Sequence, residues 1–556
     1  MNYPLWDLPG AGLLIAGVAI VHVFISHFAI GGGLFLVLTE RKARREQDAG
    51  LLAYVERHTR VFVLITLVGG ALTGVGIWFT IGLVHPSATA TLIATFVWGW
   101  AIEWTFFVVE IASALVYYYG WHRLAPAAHV AVGWIYFAAA WLSLAVIDGI
   151  LSFMLTPGAW IATHSFWDGF LNPTYLPSLV ARTAACVGLA GLYAVLTASV
   201  LASGELKAKI ARYAASRWIL PAGIALPLSM AWLLSVANAA GVPVADVFGA
   251  RPYALDAVFR SALAGSASGY PMAQRALVVT TLAGAAVVLM GLLLLGRRAV
   301  KYSPGYAAAL MVCGFLSFGG MEFVREDLRK PWVIGQYMYV NGVRAAPAAA
   351  GDPFALEAVR QRGVLATALW TRSLPDPADP VAYELARGRE VFRLSCSACH
   401  TQDGYLSMRR LTRGVSASAA AVTIGRLEGW RHRRMPPFAG TDDERHALAV
   451  YLASLGGATS EELRAAVAAE RAPVAPAGSS AGAKLFEDYC SVCHAADTEH
   501  PFRAKGRGAA ELYDLLGRLP TINEAMPAFD GTDAERHTLA SYLATVDPGR
   551  SPGGER

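Results

Sequence analysis

Eight apolar stretches, each long enough to cross a bilayer, lie near residues 12–38, 60–84, 91–119, 129–155, 179–202, 217–240, 276–296 and 305–323. A spanning helix needs about 20 such residues. Lipid offers no partner to backbone N–H and C=O groups, so long apolar stretches of this kind are helices. The composition, 55% hydrophobic and 16% charged, fits several spans and not one soluble domain. The segments after spans one, three, five and seven read TERKARREQDAG, GWHRL, SGELKAKIARYAASR and GRRAVKYSPG, whereas those after spans two and four carry no Lys or Arg. Basic loops stay in the cytoplasm, and an even number of spans puts both termini outside, in the periplasm of a Gram-negative cell. The first apolar segment is long and lacks a basic leader, which predicts a retained span and not a cleaved signal. Nothing in the charge pattern points to nucleic acid.

Hydrophobicity falls after LRKPW at 328–332, and the remainder reads as soluble. The expected division is a membrane domain over 1–340, a linker over 341–383, a first small helical domain over 384–458, a second linker over 459–480 and a second domain over 481–548. The two small domains repeat each other. FRLSCSACHT begins at Phe392 and FEDYCSVCHA at Phe486, and each copy ends in an amphipathic stretch, DDERHALAVYLASL or DAERHTLASYLATV.

A C-x-x-C-H run places two thiols to bond the vinyl groups of a porphyrin and a His to reach its iron. Cys396, Cys399 and His400 form the first such run, and Cys490, Cys493 and His494 the second. A zinc site is the alternative use of such residues, but each copy has two cysteines only. Met435 in RMPPFAG and Met526 in AMPAFDG lie 35 and 32 residues after the respective His. Each is expected to give a thioether as sixth ligand, with Met408 as a competitor in the first domain. Haem is attached to this motif on the outer side of the membrane, which agrees with the topology drawn from the loops. The pattern resembles class I cytochromes c. Cys186 and Cys313 sit alone in apolar stretches and are expected in the core.

Ionisable residues inside a membrane cost about 2.5–3.5 kcal/mol each on insertion scales and so mark function by default. Span one holds His22 and His27. Span three holds Glu103 and Glu110, seven apart and therefore on one helical face. Asp148 lies in span four, as a relay member or a polar contact to a neighbouring helix. At the outer end of span eight, MEFVREDLRKPW brings Glu322, Arg325, Glu326, Asp327, Arg329 and Trp332 together, with an interfacial salt-bridge cluster as the structural reading for Arg325 and Asp327, less so for Glu326. His85, His122, His129 and His164 are expected at span ends or in loops, and Tyr117, Tyr118 and Tyr119 in an interfacial aromatic belt.

HVFISHFAIGGG, AIE…E…YGWHRL, FLNPTYLP and EFVREDLRKPW resemble the catalytic subunit of cytochrome bd-type oxidases over roughly residues 10–335. The resemblance implies an all-α, polytopic membrane bundle of about eight transmembrane helices, here carrying two C-terminal cytochrome c domains. It implies His22 as a haem ligand, Glu110 beside a pair of high-spin haems, and Glu326 as a carboxylate ligand of one of them. Arg329 and Trp332 match residues that hold haem propionates. Glu103 matches the other span-three carboxylate with a one-residue slip. It also implies a second, homologous membrane subunit and a place in the bacterial cytoplasmic membrane.

The departures bear on electron entry. Where the family has the His and Met ligands of a low-spin b haem near its quinol site, this chain has Ala181, followed by Arg182, and Leu277. The loop between spans six and seven lacks the family's quinol-loop wording, and its last span is absent. The expected inventory is two covalent haem c groups and about two non-covalent haems of b or d type. A periplasmic donor would feed the haem c groups, which would feed the haem pair where O2 is reduced to water. Nitric oxide reduction at the same site, suggested by His27 and Glu322, and an electron conduit without gas reduction are the alternatives.

Overall fold

The computed structural model describes residues 11–244, 271–345, 351–427, 434–471, 481–490, 494, 502, 504, 507–522, 526, 528–529 and 531–544. It divides into two compact units that part between Tyr337 and Met338.

Among the described residues, the first unit contains eight helices long and apolar enough to cross a membrane, as expected: Gly12–Arg45, Ala49–Val84, Val97–Gly120, Pro126–Phe153, Tyr175–Leu201, Gly204–Ala239, Met272–Leu293 and Pro304–Arg329. Several run past the apolar stretches. The basic segments after spans one and five are themselves helical, because Lys, Arg and Glu are good helix formers and continue the backbone ladder into the polar region. Spans two and six are each interrupted by one π-helical turn, Leu64–Gly69 and Ala215–Ile219. Span five is the most buried, and spans one and five cross at backbone distance. A Cβ on Gly31 would lie 1.8 Å from the Cys186 carbonyl oxygen, so only glycine permits this crossing. Cys186 is accordingly buried in the core, and Cys313 is half-buried.

The second unit holds the two repeats. In the first, helices Pro380–Ser395 and Asp442–Leu455 cross where a Cβ on Gly388 would meet the Ala447 carbonyl oxygen at 1.9 Å. In the second, Ala481–Tyr489 and Asp533–Leu543 cross at Gly482, whose Cβ would meet Tyr542 at 2.3 Å. Gly388 and Gly482 each stand eight residues before the first cysteine of their motif, so the repeat extends to its tightest contact. Both C-terminal helices begin with a Thr and Glu capping box, Thr441 with Glu444 and Thr532 with Glu535.

The stretch ahead of the first repeat is packed and not merely a tether. Val343, Val359 and Val364 share a core with Leu394 and Ala439. The buried Glu444 carboxylate accepts the amides of Val364 at 2.8 Å and Leu365 at 2.7 Å. Glu390 and Arg393, on the helix that leads into the first motif, form a buried ion pair, and Glu390 also accepts the Arg372 amide at 3.0 Å. Burial alone would raise the Glu390 pKa, but Arg393 and that amide outweigh it and the carboxyl titrates below its ordinary range.

Candidate functional site

In the first repeat, helix Pro380–Ser395 stops at the motif and the chain closes one turn over it, with the His400 amide on the Cys396 carbonyl at 2.9 Å. Cys396 lies against the apolar cluster of Val391, Phe392, Leu448 and Leu452, and it is not joined to Cys399 by a disulfide. His400 Nδ1 lies 3.1 Å from the Leu406 carbonyl oxygen. A carbonyl only accepts, so Nδ1 carries the proton and the ring's lone pair is on Nε2. Leu406 holds this carbonyl in place from the left-handed region, at φ 46°, which leucine rarely adopts. Two free thiols, one of them at an apolar wall, and an imidazole with its lone pair on Nε2 are the donor set a covalent haem needs. Among the described residues, no group of three or more His, Cys, Asp or Glu is placed to hold a metal ion.

The second repeat makes the same turn, with His494 N on Cys490 O at 3.0 Å, and Cys490 packs against the buried cluster of Leu512, Leu516 and Leu539. Cys493 lies outside the described residues. Met408, the competitor for the sixth position in the first domain, packs into the hydrophobic core beside Phe392 and Leu452. Met435 and Met526 are half-buried and belong to neither core cluster.

In the membrane unit the expected residues occupy three places. His22 lies against span two, its Nδ1 3.0 Å from Thr73 Oγ1. Glu103 and Glu110 share one helical face, as their spacing predicts, and that face meets span four. Ser143 donates to Glu103 at 3.0 Å, and the Tyr136 hydroxyl is 3.1 Å from Glu110. Glu326 is held at the end of span eight by Arg329 at 2.6 Å and Lys330 at 2.9 Å, so the ion-pair reading extends to this carboxylate as well. Arg329 is buried and also donates to the Val333 carbonyl at 2.5 Å, while Trp332 is half-buried beside it. No hydrogen bond or ion pair joins His22, Glu110 and Glu326 to one another.

Sequence reasoning passed over the residue that organises the centre of this unit. Arg182, buried in span five, pairs with Asp148 of span four at 2.8 Å and Glu322 of span eight at 3.1 Å, and its Nη1 lies 3.5 Å from His27 Nε2. Glu322 pairs in turn with Arg325 at 3.0 Å, which puts Arg325 in a salt-bridge cluster. Ser178 donates to Asp148 at 2.8 Å, and His27 Nδ1 donates to the Val23 carbonyl at 2.8 Å. Two cations and two carboxylates thus neutralise one another, and both nitrogens of His27 are engaged by protein groups. Asp148 is therefore the polar contact between helices. Ala181 and Leu277 are buried and carry no atom that can bind iron.

Two further expectations need correction. His129 is fully buried, not interfacial, with Nδ1 2.9 Å from the Glu40 carboxylate and Nε2 2.9 Å from the Tyr117 carbonyl. Tyr117 is buried with it and donates to Glu40 at 2.7 Å, whereas Tyr119 is 62% exposed and suits the belt. A helix turns 100° per residue, so three consecutive tyrosines cannot share one environment. His122 is exposed beside Glu56 at 3.1 Å, and the exposed His164 stands edge-on to Trp160.

Comparison with known proteins agrees with both halves. Residues 11–233 match the family model of cytochrome bd terminal oxidase subunit I. Residues 384–452 and 477–543 each match that of cytochrome c oxidase, cbb3-type, subunit III. No curated protein matches the sequence. Among solved structures, the bd oxidase from Geobacillus thermodenitrificans is similar in fold, with a TM-score of 0.50 at 15% identity over 59% of this chain and 89% of that one. The chain therefore joins a bd oxidase subunit I domain to two cytochrome c domains, and it is a membrane haem oxidoreductase.

Proposed function

We propose that this protein takes electrons from a periplasmic donor into its two cytochrome c domains and delivers them to a haem pair in the membrane unit, where O2 is reduced to water without quinol oxidation. The observation that carries this reading is a substitution of one route by another. The positions that would ligate a quinol-side haem are Ala181 and Leu277, the adjoining Arg182 is spent on Asp148 and Glu322, and two covalent haem motifs follow in the same chain.

When bound, the haems supply one-electron transfer in the tail and an open iron position in the membrane unit. Cys396, Cys399, Cys490 and Cys493 would tether the former, His400 and His494 would ligate their iron, and Met435 and Met526 would add thioether ligands, which raise the potential. The tether keeps the donor at high effective concentration. His22 and Glu326 are assigned to the membrane haems, with Arg329 and Trp332 at the propionates. Glu103 and Glu110 hold protons beside that site, steadied by Ser143 and Tyr136. A second, homologous membrane subunit completes the enzyme, and both termini lie in the periplasm of a bacterial cytoplasmic membrane. The groups that suggested nitric oxide as substrate, His27 and Glu322, are both held by Arg182, which favours O2.

The test is oxygen uptake by membranes containing the protein. Reduced cytochrome c should drive it and added quinol should not. Quinol-driven uptake that survives removal of both C-x-x-C-H motifs would refute the reading, and turnover of NO in place of O2 would move it to the alternative reaction.

A further inference from the structure

Span two bends its ladder once, through the π-helical turn Leu64–Gly69, where the Gly70 amide reaches back to Ile65 and Thr66. Such turns are rare, insert one residue into a helix and gather at functional sites. The insertion rotates the face that follows it, and the residues next presented to span one are Thr73 and Gly74. Thr73 donates its hydroxyl hydrogen to the Gly69 carbonyl at 2.7 Å. That hydrogen is spent, so toward His22, 3.0 Å away, Thr73 Oγ1 is an acceptor and Nδ1 of the ring carries the proton. The lone pair then lies on Nε2. Gly74 supplies the room, since a Cβ there would stand 3.1 Å from His22 Cε1.

His27, five residues on, has both nitrogens engaged, Nδ1 by a carbonyl and Nε2 by a guanidinium. Of the two histidines in span one, His27 is tied to Arg182, whereas the ring of His22 meets only Thr73, at Nδ1, and the Gly70 carbonyl.

We propose that Thr73 is the positioning residue for a haem-ligating His22, fixing its tautomer and ring plane, with Gly74 as the clearance the ring requires. This rests on the assignment of His22 to a membrane haem. A hydrogen bond accepted from Nδ1–H makes Nε2 a stronger donor to iron and favours the ferric state, so losing it weakens haem retention and raises the midpoint potential.

The experiment uses the full chain, comparing Thr73→Val, Thr73→Ser, Gly74→Ala and His22→Ala by extractable haem content, reduced-minus-oxidised spectrum and potentiometric titration. Thr73→Val should weaken haem retention by about 10–100-fold and raise the potential of the remaining haem, and Thr73→Ser should restore both. Gly74→Ala should shift the spectrum while keeping the hydrogen bond. If Val and Ser behave alike, or if both Thr73 variants and Gly74→Ala match the wild type while His22→Ala loses haem, the seat is wrong and the ligand assignment stands. If His22→Ala keeps its full haem complement, the assignment itself falls, and the seat with it.

Discussion

The two units treat their polar side chains in opposite ways. In the membrane unit buried ionisable groups pair with one another: Arg182 with Asp148 and Glu322, and Glu40 with His129 and Tyr117. In the cytochrome c domains the groups that define the site come from one turn of chain, with the backbone setting the tautomer of His400. Lipid cannot solvate a charge, so a span that carries one must bring its counterion from another helix. A covalent haem is secured by its thioether bonds and needs no such counterion. The cytochrome c domains can be read as local devices, and the membrane unit only as an assembly.

The sharpest way to break this contrast is to remove a local device. His400→Ala should abolish the native covalent haem signal of the first domain and, with it, donor-driven turnover, while the second domain and the membrane haems remain; difference spectra of the full chain would check both. If turnover persists, electrons enter elsewhere. Next in size, Glu110→Gln should slow O2 reduction by about 10²-fold or more, and Glu103→Gln, whose carboxylate is held by Ser143, by less. Equal, small effects would remove both from proton delivery.

Arg182→Met tests the assembly itself. Two buried carboxylates lose their shared cation, and a broken buried pair costs about 3–5 kcal/mol. Thermal melts of the membrane unit should therefore fall while the Soret bands of the cytochrome c domains are unchanged. Within the soluble unit, Glu390→Gln should lower stability at neutral pH and flatten its acid dependence. A carboxyl depressed by folding stabilises above its unfolded pKa, and that stability is lost as pH falls through the folded value. The smallest difference separates the two repeats. Glu444→Ala exposes three amides, those of Thr441, Val364 and Leu365, to loss of their acceptor, whereas Glu535→Ala affects the Thr532 cap alone. The first substitution should cost more than the second.

The same contrast explains what was legible. All eight spans could be located because hydrophobicity is a property of each stretch by itself, and the haem motifs because their ligands share one turn. The role of Arg182 was hidden because its partners sit on spans four and eight, and no periodicity within span five names them. Tyr117 and His129 were misplaced for a related reason. Position near a span end suggests the interface, but Glu40 on another helix draws both inward. The capping boxes could be read from Thr and Glu three apart, whereas the second use of Glu444, on amides some 80 residues upstream, could not.

The most direct measurement is a haem inventory of the purified protein, by pyridine haemochrome spectroscopy before and after acid–acetone extraction. Two covalent haems and about two extractable ones, none of them low-spin b haem, are the predicted count. A third extractable haem with a low-spin b spectrum would contradict the proposed change of electron entrance.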